Sequence, residues 1–196
     1  MIQMGVLMYK HCNTEESAQR QRQLEQCLLE LMVDIPYDNI TIGQICEQAG
    51  ISRKSFYRYF DSKDDCLHAL LDHTIMEGSS YYLFDHSEDD ALAFCTRIFE
   101  FWYKQTPLLN ALERDGQSLQ ILQRMIRYIL EEEPEYARYM GITQYNLMEH
   151  IVYNVSGVMG LVLTWHHGGY QKPPAQMGEV LYQMTRHREM QGGSFI

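Results

Sequence analysis

The 196-residue sequence predicts an all-α fold in two parts, a small N-terminal unit of three helices and a larger helical domain after it. Three observations carry that expectation. Apolar residues recur three and four apart in one segment after another, which is the helical period. Hydroxyl caps at one end and Gly or Pro breaks at the other divide these segments into helix-sized lengths. No stretch shows the period-two alternation of a half-buried strand.

Residues 1–13 show no such period and read as a mobile arm. Thr14 or Ser17 can cap a first helix, in which Leu24, Cys27, Leu28, Leu31 and Met32 form one stripe. Thr41 followed by Gln44 is a capping-box arrangement, in which each residue satisfies an exposed N–H group of the other. Behind it Ile42, Ile45, Cys46 and Ala49 share one face of a helix of about two turns. Gly50 ends that helix, because the residue after a helix often needs positive φ. Ser52 caps the next helix, whose Phe56 and Phe60 lie one turn apart and are expected to pack on Ile45, Ala49 and Ile51. Ser62 with Asp65 opens a further helix through Cys66, Leu67, Leu70, Leu71 and Ile75.

Beyond it the pattern predicts helices near 88–105, 107–114, 117–132, 143–167 and 174–188, broken by Asp85–Asp90, Thr106-Pro107, Asp115-Gly116, Pro134–Gly141 and Gly168–Pro174. The domains are therefore read as 14–62 and 63–190, with residues 191–196 a frayed tail.

The second helix of the 41–63 hairpin carries its chemistry on the outward face: Arg53, Lys54, Ser55, Tyr57, Arg58 and Tyr59. Cations, hydroxyls and phenols on a narrow helix suit a DNA major groove, where Arg and Lys read guanine edges and hydroxyls bond phosphates. Charge distribution agrees. The chain carries a net charge of −10, which argues against a general nucleic-acid coat or a polybasic membrane anchor. Residues 10–63 hold seven Lys/Arg against eight Asp/Glu, whereas residues 64–196 hold nine against eighteen. Within Ile51–Lys63 there are four cations and one anion, so a positive face is expected on a negative body. Lys10 and His11 in the arm could approach a minor groove, but a disordered tail is the simpler account of them.

These residues resemble the DNA-binding domain of the TetR family of transcriptional regulators, from about Arg22 to Leu71. The family pattern is matched by Thr41, Ile45, Ala49, Gly50, Ser52, Phe56, Tyr57, Tyr59, Phe60 and Lys63. The resemblance implies that Thr41, Tyr57, Tyr59 and Lys63 hold phosphates, while Arg53, Lys54 and Ser55 face base edges or nearby backbone; Arg58 joins the DNA-contact set from its place on the outward face alone. Two positions depart from the pattern. Ile35-Pro36-Tyr37 stands where many members have a Gly-aromatic pair, and Gly43 leaves a readout position empty at a helix cost of about 1 kcal/mol.

In the C-terminal domain, Tyr145–Trp165 is nearly free of charge and carries Ser156, Gly157 and Gly160, small residues that admit a neighbouring helix closely. With Val180, Leu181 and Met184 of the last helix, they are similar to the helix pair through which family members dimerise. A palindromic DNA operator asks for such two-fold symmetry. The alternative is that both helices serve the chain's own core. Phe94, Phe99, Trp102, Met125, Tyr128, Met148 and Tyr153 could line a cavity for a small apolar effector, and the same spacing also describes ordinary core.

Other chemistries find little footing. Five cysteines with no C-x-x-C pair and no secretory leader indicate a reducing cytoplasm. The longest apolar run, Val155–Trp165, is too short to cross a bilayer. His166 and His167 are adjacent and point roughly 100° apart on a helix, so no metal site is expected, nor any cofactor. No catalytic motif is present and the chain is read as a non-enzyme. The expected protein is a homodimeric, sequence-specific DNA-binding repressor released by an effector. The alternative is a TetR-like coactivator or adaptor governed by a protein partner, a subset that the Pro36 variant and the Trp165–Pro174 segment resemble.

Overall fold

The computed structural model describes residues 14–83, 91–132 and 147–190. The arm, the tail and the breaks expected at 85–90 and 134–141 lie outside the described residues, where all regular structure is helical. Helix α1 spans Glu15–Asp34, with Ser17 N donating to Thr14 Oγ1 at 3.2 Å and two glutamates in its first turn, where the helix dipole favours anions. It ends at Ile35 because the following Pro36 forces an extended backbone on the residue before it (φ −114°, ψ 127°). A 3-10 turn over Tyr37–Asn39 leads to α2 (Ile42–Gln48), α3 (Arg53–Phe56) and the long α4 (Lys63–Leu83). The remaining helices are α5 (Ala91–Lys104), α6 (Thr106–Arg114), α7 (Ser118–Glu132), α8 (Leu147–His167) and α9 (Pro174–Met190).

The core begins as the stripes imply. Leu24, Leu28, Met32, Ile45, Phe56 and Phe60 are fully buried with Cys66, Leu67 and Leu71 of α4. Further along, Phe99 and Trp102 of α5 join Leu108 and Leu112 of α6, Ile121 of α7 and Met159 and Val162 of α8. Helix α9 lies so close along α5 that a Cβ on Gly178 would fall 2.6 Å from the Thr96 Cα.

Polar ties add to the apolar contacts among α1, α4, α6 and α7. In α4, Asp72 and His73 are both buried. His73 Nδ1 lies 3.0 and 2.8 Å from the two oxygens of Glu25 on α1. Asp72 receives a two-pronged contact from Arg124 of α7, with Arg127 Nη2 at 3.5 Å. A third tie runs from α6 to the exposed end of α1: Arg114 donates to the carbonyls of Met32, Val33 and Ile35 at 2.9, 3.2 and 3.0 Å. Those are carbonyls that a helix terminus leaves without intrahelical partners. Asp115 completes the clamp by accepting from the Tyr37 amide at 3.0 Å and from Arg114 Nε at 2.9 Å.

The Arg114 hydrogen bond holds the Asp115 carboxyl below its ordinary 3.8, against the opposing effect of burial and with help from the Tyr37 amide. A carboxylate depressed on folding contributes stability above its unfolded value, and loses it as pH falls through the folded one. Asp115→Asn is therefore expected to be less stable than the parent at neutral pH, with the gap closing as pH drops below the ordinary carboxylate value. Urea midpoints measured at several pH values check this, and a gap that stays constant into acid would refute it.

The histidines in the last turn of α8 meet a carboxylate of α6. His166 Nε2 lies 3.1 Å from one oxygen of Glu113 on α6, and His167 Nδ1 contacts the other. Residues that cannot share one ion thus share one carboxylate, immediately before the α6–α1 clamp of Arg114 and Asp115. No helix among the described residues is long and apolar enough to cross a membrane, and no group of His, Cys, Asp or Glu among them is arranged to hold a metal.

Candidate nucleic-acid interface

The α2–α3 hairpin is built from its caps outward. Thr41 N donates to Gln44 Oε1 at 2.8 Å and Gln44 N to Thr41 Oγ1 at 3.3 Å, closing the capping box. Gly50 takes φ +65°, a left-handed conformation that other residues enter only at a cost, and lets the Ile51 amide reach the Cys46 carbonyl at 2.9 Å. Ser55 N then donates to Ser52 Oγ at 3.1 Å to start α3. Phe56 and Phe60 meet at 5.5 Å between ring centres, both fully buried.

The regular α-helical part of α3 is shorter than the sequence suggests. It ends at Phe56, and Tyr57–Tyr59 continue as a tighter turn in which the amides of Arg58 and Tyr59 reach only three residues back. Tightening of this kind is common at helix ends. It still keeps Arg53, Lys54, Tyr57 and Arg58 exposed on the outer side.

The other expected contact residues are placed less freely. Ser55 is half-buried with its hydroxyl 3.1 Å from Ser52 Oγ, and Tyr59 is half-buried against the core. Thr41 is exposed, but its hydroxyl is 2.8 Å from Gln44 Oε1. Lys63 donates to the carbonyls of Tyr37 and Ile40 at 2.6 and 2.8 Å and stands 4.1 Å from the centre of the Tyr37 ring. An ammonium has three donors, so one remains for a phosphate. The anion already seated at the start of α4 is the chain's own Asp65, which accepts from the amides of Asp61 and Ser62 at 3.0 and 3.1 Å. Burial and the Asp64 hydrogen bond push the Tyr37 phenol far up, fixing it as the donor in that contact.

A groove between the start of α1 and α3 adds residues that the hairpin alone does not reveal. Thr14, Glu16, Ser17, Arg20, Ile51, Ser55, Arg58 and Tyr59 line it. Ser17 and Arg20, three apart, share one face of α1, and Arg20 extends the cationic surface begun by Arg58. Their signal in the sequence is that same spacing on the polar side of the first helix.

Of the residues expected around an effector, five belong to the core or pack against it and two face outward. Phe99, Trp102 and Tyr128 are buried, Phe94 and Met125 half-buried, while Met148 and Tyr153 are each 60% exposed on α8. A cavity wall cannot include the last two while they face outward in this way. They share the exposed side of α8 with Val152, Gly157 and Gly160, where an added Cβ at either glycine would meet no atom within 4 Å. Ser156 and Val180 are half-buried and Met184 is exposed, but Leu181 turns inward and is buried in the core. Its place in the apolar stripe of the last helix is explained by α5, on which that helix lies.

Comparison with known proteins agrees with the geometry. Residues 28–70 match the family model of bacterial regulatory proteins, tetR family. A search of curated proteins found no match. Among solved structures, a TetR-family transcriptional regulator from Streptomyces coelicolor is similar, with a TM-score of 0.58 and 21% identity, over 84% of this chain and 78% of that one. A chain from Syntrophomonas wolfei assigned to the same family gives a TM-score of 0.64 at 18% identity, over 91% and 98%. A fatty acid degradation regulator from Bacillus halodurans gives 0.58 at 14%, over 84% and 93%. The hairpin and the helices around it are thus a TetR-family helix-turn-helix domain, carried on a chain with the all-helical fold of TetR-family regulators.

Proposed function

We propose that this chain is a sequence-specific DNA-binding repressor that acts as a homodimer in the cytoplasm and is released when an effector engages its C-terminal domain. The observation that carries the reading is the exposed Arg53, Lys54, Tyr57 and Arg58 set on a capped hairpin, extended by Arg20 along the groove. Base edges and phosphates are the partners this donor set fits. Dimerisation is supported by the outward face of α8, where Met148, Val152 and Tyr153 stand beside two glycines with open space above them. Such a face, apolar and stepped by small residues, suits close approach by its own copy around a two-fold axis.

Support for an effector comes from Trp102, whose indole N–H is buried with no acceptor among the described residues. A buried donor left unmatched costs free energy that a polar atom of a bound molecule would recover. The polar ties of α7 to α4, and of α4 and α6 to α1, give a bound molecule a physical route to the recognition hairpin. Enzymatic chemistry has no part in this reading.

The test uses a duplex enriched from a random pool by the purified protein. Arg53→Ala with Lys54→Ala is expected to weaken binding in a mobility shift at fixed salt by on the order of a hundredfold or more, from two lost side chains worth 1–3 kcal/mol each. Both positions are exposed, so the thermal midpoint should hold. Unchanged binding would sink the assignment of the site. Thermal-shift screening with small apolar and cationic compounds separates a small-molecule input from a protein one: a co-purifying protein with no stabilising compound favours the adaptor.

A further inference from the structure

Gly43 lies in the first turn of α2 and Arg53 in the first turn of α3, ten residues apart in the chain. In the folded hairpin they meet. A Cβ placed on Gly43 would come within 2.8 Å of Arg53 Nη2 and 3.6 Å of its Cζ and Nε, so the guanidinium covers the site where residue 43 would otherwise project. Arg53 also bears on the neighbouring position one turn along α2. Its charge pulls the Cys46 thiol down against the larger, upward effect of burial, as expected for residues 43 and 46 on one face. Among the described residues no carboxylate is within ion-pairing distance of this guanidinium.

Gly43 has no backbone need for glycine. Its φ is not in the left-handed region, so alanine would fit the helix and favour it by about 1 kcal/mol. The atoms it would displace are the far end of a flexible side chain. What glycine supplies at this position is room for Arg53.

We propose that Gly43 is a specificity-determining residue for DNA, acting through Arg53: by leaving its own position empty, it lets the arginine of α3 read the part of the site that a side chain at 43 would cover. This rests on the DNA-binding reading above. Gly43 is a positioning residue and touches no base itself. Its effect falls on which sequences are preferred, because the fold tolerates the change while the donor geometry of the guanidinium does not. A bidentate arginine–guanine contact depends on that geometry.

The experiment selects duplexes from a random pool with the parent protein, Gly43→Ala, Gly43→Gln, Arg53→Ala and Gly43→Ala/Arg53→Ala, with the thermal midpoint of each recorded. The parent should enrich a motif, and Arg53→Ala should relax it at particular base pairs. Gly43→Ala should change preference at those same base pairs by about tenfold or more, with a midpoint equal to or above the parent's. The double variant should select the same motif as Arg53→Ala, since residues that act through one group are not additive. A Gly43→Ala motif identical to the parent's, while Arg53→Ala alters it, overturns this inference and leaves the DNA reading standing. Changes at base pairs that Arg53→Ala does not affect also overturn it. A parent protein that enriches no motif overturns the DNA reading, and the role of Gly43 with it.

Discussion

Asp72→Ala is expected to lower the unfolding free energy by about 3–5 kcal/mol, the usual cost of removing one member of a buried ion pair. The Asp72 side chain is 2% exposed and that of Arg124 is 11% exposed, so the guanidinium left behind would stay in a poorly hydrated place without its carboxylate. Arg127, at 46% exposure, reaches the same oxygen and would simply return to water. Urea unfolding of the parent and the variant gives the difference, and a loss below about 1 kcal/mol would contradict the assignment of Asp72 as a structural anion. A second variant separates charge from packing. Asp72→Leu with Arg124→Leu removes both charges and fills the space, and it should recover most of the loss, because buried pairs replaced by apolar groups are often near neutral.

Gly178→Ala should destabilise by about 1–3 kcal/mol even though alanine is the better helix former. The added methyl would stand 2.4 Å from Thr96 Oγ1, 2.6 Å from its Cα and 2.8 Å from its N. Two of those are backbone atoms, which no rotamer change can move, so α5 and α9 would have to separate. Thr96→Ala distinguishes this from an ordinary side-chain clash: it clears the hydroxyl and leaves the backbone, so Gly178→Ala/Thr96→Ala should remain destabilised in thermal unfolding. Full recovery in the double variant would show that the hydroxyl alone set the spacing.

The contrast between these sites and the hairpin explains what could be read from the chain. Thr41 with Gln44, Gly50 at the turn, and Phe56 with Phe60 each act on residues a few positions away, and local spacing carries their geometry. Helix starts were legible for the same reason, as at Thr14 and Ser62–Asp65. The ties of α4 were not. The apolar stripe of Cys66, Leu67, Leu70, Leu71 and Ile75 is visible in the sequence, whereas Asp72 and His73 look like its solvated side. Both are buried, because their partners arrive from α7 and α1, about fifty residues away on either side. Gly43 illustrates the same limit. From sequence it is a missing contact, and only the fold shows Arg53 lying across it. Met148 and Tyr153 fit a helical apolar pattern whether that pattern faces a cavity or a neighbour, since periodicity identifies a face without saying what covers it.

Adjacent residues on a helix diverge by roughly 100°, and on α4 two such neighbours are committed to different halves of the molecule, Asp72 to α7 and His73 to α1. If α4 rolled about its own axis, it would withdraw both side chains from their partners at once. Rolling is therefore the costly motion for this helix, and displacement along or across its axis, carrying α1 and α7 with it, is the inexpensive one. A displacement of α4 of that kind would move its neighbours as a block and leave the inner packing of Phe56 and Phe60 intact.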